Sequence, residues 1–404
     1  MNILLFDTPQ ARLALKPFSD IRPLAHIRLG ITTIEEKWAH YLPGDYSFIT
    51  VPYLSKKFPC IEAPVNWCIN STVCPDKALV ESIKQLQIHE QLVQGDTLIA
   101  FVGDQATLQG VYCDGLGQLG LKRVTFQGSI MQVKNKWDIF LLNEAALSKD
   151  FQCIRASKTT QPIKDRHTTI YQAADIFIEE GATIKAAILN AELGSIYIGK
   201  NAIVQEGAII RGPVALGEGA QVNAGARIYN ATTIGPYAKV GGEISNAVIF
   251  GYSNKVHDGF LGNAVIGTWC NLGAGTTTSN LKNDYSEVKV WDDFQEDFVG
   301  TNLQFCGLFM GDYSKCGINT MFNTGTVVGV SAHLFGSGFY NKFIPAFTRG
   351  GPDTNMTIYK LGKALEAAAR TMERRAKQLT EVDKYILTHI SQESTTTWVK
   401  SMLR

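Results

Sequence analysis

From Ile198 to Val240 an aliphatic residue stands at every sixth position: Ile198, Val204, Ile210, Leu216, Val222, Ile228, Ile234 and Val240. An α-helix cannot use this period, because six residues turn it by about 600° and the apolar face wanders. Three short flat strands per coil can use it. Each hexapeptide then forms one side of a triangular prism and points its aliphatic residue inward. Small residues recur two places before the next aliphatic one, at Ala202, Ala208, Ala220, Ala226 and Ala238, where a corner is crowded. A second phase runs through Phe260, Ile266, Leu272 and Thr278, and a third through Met310, Cys316, Phe322, Val328 and Leu334. The pattern predicts a left-handed parallel β-helix. It breaks between Ile184 and Ile198, slips between Val240 and Val248, and stops over Ser279–Glu287. Such insertions leave a solenoid as loops and often line its binding site.

The first half reads as α/β. Ile3–Phe6, Ser47–Val51 and Ile99–Val102 are apolar runs of strand length. Thr32 followed by Glu35 predicts a capped helix with Ile34, Trp38 and Tyr41 on roughly one face, and Asp76 opens another with Leu79, Ile83 and Leu86. Gly115, Gly117 and Gly120 match G-x-G-x-x-G, but the segment that follows looks like a strand. Phosphate binding by that motif needs a helix N-terminus, so a glycine turn between strands is the preferred reading. After Pro352 the apolar spacing becomes helical through Ile358, Leu361, Leu365, Ala368, Met372, Ala376, Leu379 and Val382. Arg370, Arg374, Arg375 and Lys377 make this helix basic; a solvated face on the end of the solenoid is preferred to a nucleic-acid patch, since no aromatics interleave. The expected domains are 1–155 (α/β), 170–345 (β-helix) and 352–404 (helical tail).

With 404 residues, 45% hydrophobic and 19% charged, the chain has the composition of a folded soluble protein. Its net charge of +1 gives no electrostatic case for nucleic acid or membrane as partner. No apolar run reaches the ~18 residues of a span, and Met1–Asp7 reads as a first strand rather than a signal peptide. The cysteines at 60, 68, 74, 113, 153, 270, 306 and 316 form no C-x-x-C pair, so buried thiols in a reducing cytoplasm are expected.

Within the repeat only His257 and His333 offer an imidazole. His257 sits at a corner, among polar residues and beside a phase slip, where a general base near neutral pH could stand. Two histidines with no aligned third ligand argue against zinc.

His257-Asp-Gly-Phe-Leu-Gly, Ile266-Gly and Asn271-Leu-Gly-Ala-Gly-Thr-Thr-Thr-Ser-Asn280 resemble the acetyltransferase half of the GlmU-like bifunctional enzymes that make UDP-N-acetylglucosamine. These join a nucleotidyltransferase domain to a left-handed β-helix, the same order of parts. Arg22-Pro-Leu-Ala-His-Ile-Arg-Leu-Gly-Ile-Thr-Thr-Ile-Glu-Glu-Lys-Trp and Gly317-Ile-Asn-Thr-Met-Phe-Asn-Thr-Gly-Thr-Val resemble a variant subfamily of sugar nucleotidyltransferases with a shortened first domain. The resemblance implies a cytoplasmic transferase of nucleotide-sugar biosynthesis, homotrimeric, taking sugar phosphate, nucleoside triphosphate and acetyl-CoA, with Mg²⁺ for nucleotidyl transfer. It places His257 on the acetyl-transfer base, Asn271 and Asn280 on sugar contacts, and Glu243 on a carboxylate that orients base or sugar. Phe260 stands where better-known members carry tyrosine, and Ser245 where they carry a lysine. Arg211, Arg227 and Lys239 are candidates for the missing charge. The turn Leu272-Gly-Ala-Gly would offer N–H groups to an oxyanion.

The first domain departs further. Phe6 is followed by Asp-Thr-Pro-Gln-Ala-Arg, without the glycine-rich loop of ordinary sugar nucleotidyltransferases. Arg22 and Arg28 are the candidates to meet a triphosphate, and Asp104 and Asp138 to hold Mg²⁺, with surface carboxylates as the equal alternative. Three readings stay open: a bifunctional transferase, a single-activity enzyme and a non-catalytic scaffold. The single activity would be either hexose-1-phosphate nucleotidyl transfer beside a structural β-helix, or acyl transfer beside an inert first domain.

Overall fold

The structure, a computed structural model, describes residues 1–116 and 120–402, without the side chains of 112–114 and 396–402. Packing divides the chain into two units. One comprises Met1–Leu15, Ile21–Ile27 and Thr32–Lys134; the other comprises Lys16–Asp20, Arg28–Ile31 and Asn135–Arg404.

The first unit is Rossmann-like. Its six-stranded sheet runs Asp45–Ile49, Asn2–Phe6, Asn66–Asn70, Thr97–Gly103, Glu90–Gln94, Lys122–Thr125. The first three strands are parallel. Ile3, Leu4, Leu5 and Phe6 are all fully buried, as a strand covered on both faces requires. The sheet then turns mixed, because Thr97–Gly103 runs antiparallel to both of its neighbours. Gln94 pairs with Thr97 across Gly95 and Asp96, and Gly95 has a φ of 56°, which suits a two-residue hairpin turn. The helix Ile34–Tyr41 is capped by Thr33 with Glu36, one residue later than the Thr32/Glu35 pair expected; both capping bonds are formed. Of the glycine motif, Gly115 ends the helix Gln105–Asp114, Gly117 lies outside the described residues, and the strand Lys122–Thr125 follows.

The second unit is the left-handed parallel β-helix. Ile198, Leu216 and Ile234 stack in register on successive coils, as do Val204, Val222 and Val240. Every aliphatic residue of the first phase is buried, and so are Ala202, Ala208, Ala220, Ala226 and Ala238. Ile228 lies between Ile210 and Ile244 with no exposure. Ile228→Ala is expected to cost about 2–5 kcal/mol, read by denaturant unfolding. The second phase is corrected at one end: Leu261, not Phe260, continues the inward column above Ile244, and Phe260 pairs outward with Glu243. Another inward place is taken by Lys255, in register with Val240.

The insertion after Thr278 carries a hairpin, Lys289–Asp292 with Asp297–Gly300. Asn143–Ser157 packs on the β-helix, with Leu147 and Phe151 against Phe177 and Ala215. The tail is two helices, Leu361–Glu373 and Glu381–Met402, rather than one continuous helix. The first ends where Ala376 takes a φ of 51° and the Lys377 N–H closes back on the Met372 carbonyl, a Schellman-type stop. No helix among the described residues is long and apolar enough to cross a membrane.

Candidate functional site

The β-helix presents His257 on an immobilised corner. Lys255 Nζ donates to the His257 carbonyl at 2.6 Å and to the Gly241 carbonyl at 3.3 Å. Asn223 Nδ2 donates to the Val256 carbonyl at 3.0 Å, and the Gly275 N–H to that of Asp258 at 3.2 Å. Gly259, at a φ of 120°, cannot be replaced cheaply: a Cβ there would stand 2.1 Å from the Thr276 carbonyl oxygen. The backbone is thus tied to the coil below and the coil above, while the His257 side chain is exposed and makes no hydrogen bond among the described residues.

Lys255 is the unusual member of this corner. Its side chain enters the core with 3% of its residue surface exposed. Burial brings its ammonium down from 10.5 to about 8, against the pull of Asp258 and Cys316. Between those values the unfolded chain binds the extra proton, so stability rises with pH across about 8 to 10.5 and is lowest below it. Lys255→Met is expected to shrink that rise, measured by denaturant unfolding at about pH 7 and about pH 10.

Neighbouring coils bring Arg227, Glu243 and Phe260 into one column. Both Glu243 oxygens are engaged: Oε2 by Arg227 Nη2 at 2.9 Å, Oε1 by the Tyr229 hydroxyl. These two bonds, Tyr229 first, hold the Glu243 carboxyl below its ordinary range. Glu243 therefore serves Arg227 and Tyr229 and forms no hydrogen bond to His257 among the described residues. Arg227 is spent on Glu243, Arg211 is exposed, and Lys239 stands on a different face. Tyr229 escaped the sequence reading; its place in register with Ser245 is visible only in the folded coil.

Phe260 and Asn280 both crowd Gly262, where a Cβ would lie 2.4 Å from the Phe260 ring and 2.8 Å from Asn280 Nδ2. Asn280 donates to Asn263 Oδ1 at 2.8 Å. Beside them opens a cleft of about 590 Å³, lined by Asn230, Ser245, Asn246, Asn263, Asn280 and Phe305 among others. Asn230, Asn246 and Asn263 share a left-handed conformation (φ 50°, 48° and 46°), which asparagine tolerates best after glycine. The corner thereby lines up amides that both donate and accept, as hydroxyl-rich ligands require. Glu144 is the one charged residue of the lining. Asn271 stands on the other side of the histidine corner, in register with Asn254 and Lys315. In the turn after Leu272, Gly273 and Gly275 spend their N–H groups on the carbonyls of Cys316 and Asp258. The Ala274 N–H has no acceptor among the described residues.

The first unit holds a second constellation, at the carboxyl end of the strand Asn2–Phe6, the edge where ligands bind in open α/β sheets. Arg12 Nη1 meets Asp7 Oδ2 at 2.7 Å, and donates to the Arg22 carbonyl and the Thr50 hydroxyl, each at 3.2 Å. Thr50 Oγ1 and the Leu24 N–H also donate to Asp7. Arg12 was missed as a candidate although it ends the Asp7–Arg12 segment that replaces the glycine loop. The pair is internally neutral. Arg22 is buried. Arg28 belongs to the other unit and donates to the Ile31 carbonyl.

The magnesium candidates lie in different units. Asp104 caps the helix Gln105–Asp114 through the Thr107 N–H at 2.9 Å and approaches His89 at 3.3 Å. Asp138, in the other unit, accepts the Asn135 N–H at 2.8 Å. Among the described residues no group of three or more histidine, cysteine, aspartate or glutamate side chains is placed to hold a metal ion. Among the described cysteines none is bonded to another.

A Rossmann-like sheet followed in the chain by a β-helix with a pinned, exposed histidine makes a two-part architecture. Residues 3–159 match the sugar nucleotidyl transferase family. The chain is 26% identical over 159 residues to a bifunctional sugar-1-phosphate nucleotidylyltransferase/acetyltransferase of Sulfurisphaera tokodaii, covering 34% of this chain and 39% of that protein. It is 29% identical over 118 residues to the bifunctional protein GlmU of Methanocaldococcus jannaschii, covering 29% and 26%. It is 28% identical to an uncharacterized acetyltransferase of Escherichia coli, YaiX, over 40% of this chain and 70% of that one. The chain is similar to these bifunctional transferases over part of its length, and spans about two-fifths of the length of the first of them. A solved UDP-N-acetylglucosamine acyltransferase of Francisella novicida aligns over 55% of this chain and 74% of its own, at 14% identity and a TM-score of 0.25. The β-helix assignment rests on the strand register of the chain itself.

Proposed function

We propose that the chain is an acetyl-CoA-dependent acyltransferase of nucleotide-sugar metabolism, acting on an amino sugar at the His257 corner. The observation that carries this reading is an exposed imidazole on a backbone tied from both sides, on the coil that leads through Phe260 to Asn263 of the amide-lined cleft. The sugar's neutral amine attacks the thioester carbonyl carbon while His257 takes one amine proton. The oxyanion that forms meets the Ala274 N–H. It collapses with cleavage of the carbon–sulfur bond, and the thiolate leaves as thiol with the proton returned by His257. Asn280, Asn263 and Ser245 hold the sugar hydroxyls. In the resembled family such a site lies between subunits of a trimer, which suits a prism with flat sides.

A second reading, nucleotidyl transfer in the first unit, is favoured by the family match over residues 3–159. Against turnover there stands the internally paired Asp7 and Arg12. Binding of a nucleotide sugar at the carboxyl end of the strand Asn2–Phe6, without chemistry, accommodates both observations.

A crystal structure with coenzyme A and an amino sugar tests the principal reading. The expected pose sets the sugar amine within about 2.6–3.2 Å of a His257 ring nitrogen, with hydroxyls on Asn280 and Asn263. A sugar bound away from the His257 corner contradicts it.

A further inference from the structure

One face of the β-helix gathers positive charge without an acid to match. Lys239 and Asn254 are register neighbours on adjacent coils, and Asn271 follows Asn254 on the next. The end of the helix Leu361–Glu373 is seated over this column. Met372 is buried and accepts from the Tyr313 hydroxyl at 3.7 Å. Just beyond it, Arg375 Nη2 donates to Asn254 Oδ1 at 2.9 Å. Arg374 precedes Arg375 and is exposed.

Lys239, Arg374 and Arg375 form no ion pair among the described residues. The helix's own Glu366 turns instead to Lys363 and Arg370. Burial lowers the Lys239 ammonium, and Arg375 and Arg374 lower it further; burial and then Arg374 do the same to Arg375. Three like charges brought together, with Lys239 and Arg375 half-buried, oppose folding unless an anion joins them. An arginine fork and a lysine point charge, both beside Asn254, are the donor set that phosphoryl oxygens take.

We propose that Lys239, Arg374 and Arg375 form a binding site for a phosphoryl group, separate from the asparagine-lined cleft. Asn254 orients Arg375 for it. Asn254 and His257 are three residues apart on one coil, about 10 Å of extended chain, so an occupant here lies near the histidine corner without filling it. The phosphoryl group comes either from a free phosphate or pyrophosphate ion or from the phosphates of a coenzyme or nucleotide.

Calorimetric titration of the full chain with inorganic phosphate, pyrophosphate, coenzyme A and dephospho-coenzyme A, at constant ionic strength, tests this. Saturable binding of at least one is expected, with Lys239→Gln and Arg374→Gln each weakening it about tenfold or more. Lys363→Gln, at the other end of the same helix, should leave it unchanged. Binding of inorganic phosphate would identify a free-ion site, and binding of coenzyme A alone a coenzyme site. The melting temperature gives an independent sign: Lys239→Gln should melt at or above the wild type without phosphate and below it at saturating phosphate. Absence of saturable binding by all four compounds, or equal binding by both charge-removing variants, overturns the proposal.

Discussion

His257→Ala is expected to lower acetyl transfer by about 10²–10⁴-fold, the usual worth of a positioned general base, while pyrophosphate release, if any, is unchanged. The measurement is thiol release from acetyl-CoA in the presence of an amino sugar. The side chain is exposed and makes no hydrogen bond among the described residues, so its removal should move the melting temperature little. That combination separates chemistry from folding. Acetyl transfer by His257→Ala at the wild-type rate would mean that the corner is pinned for another reason.

Arg12→Ala should be the most damaging single change in the first unit. Asp7 keeps about 1% of its side chain exposed, and Arg12 about 8%. Removing the guanidinium leaves a buried carboxylate whose remaining donors among the described residues are Thr50 and the Leu24 N–H. The expected loss is about 3–5 kcal/mol, since an uncompensated buried charge costs more than its pair contributes. Denaturant unfolding followed by a probe in the first unit reads it. Asp7→Leu combined with Arg12→Met should recover most of the loss, because a well-packed apolar pair often matches a buried ion pair. Failure of the double variant to recover would assign the pair a role in shaping the sheet edge beyond charge balance.

The six-residue period made the β-helix legible, because inward residues must recur once per prism side and each aliphatic residue of the first phase is indeed buried. The period lost its power where coils shorten. Phe260 continued the spacing on paper, yet the register places Leu261 above Ile244, since the strand Glu243–Ile249 crosses a corner without a full hexapeptide. Lys255 was illegible for a related reason. A lysine at an inward place breaks the pattern, and only the fold shows its amine bonded to the carbonyls of Gly241 and His257. Helical spacing through the tail continued past Glu373 into Ala376, because periodicity carries no information about a left-handed residue that stops a helix. In the first unit, strand and helix patterns were plain, but the mixed sheet order and the Asp7–Arg12 pair depend on which strand ends converge, which no local window contains.

Proposed acyl transfer is tested most directly by following thiol and pyrophosphate release in parallel. The reaction contains the full chain, Mg²⁺, acetyl-CoA, amino sugars and their 1-phosphates, and nucleoside triphosphates. The expected result is thiol release that depends on an amino-sugar acceptor, whether or not pyrophosphate accompanies it. Pyrophosphate release with no acceptor-dependent thiol would contradict the proposal, and would make His257 a structural residue of an assembly platform.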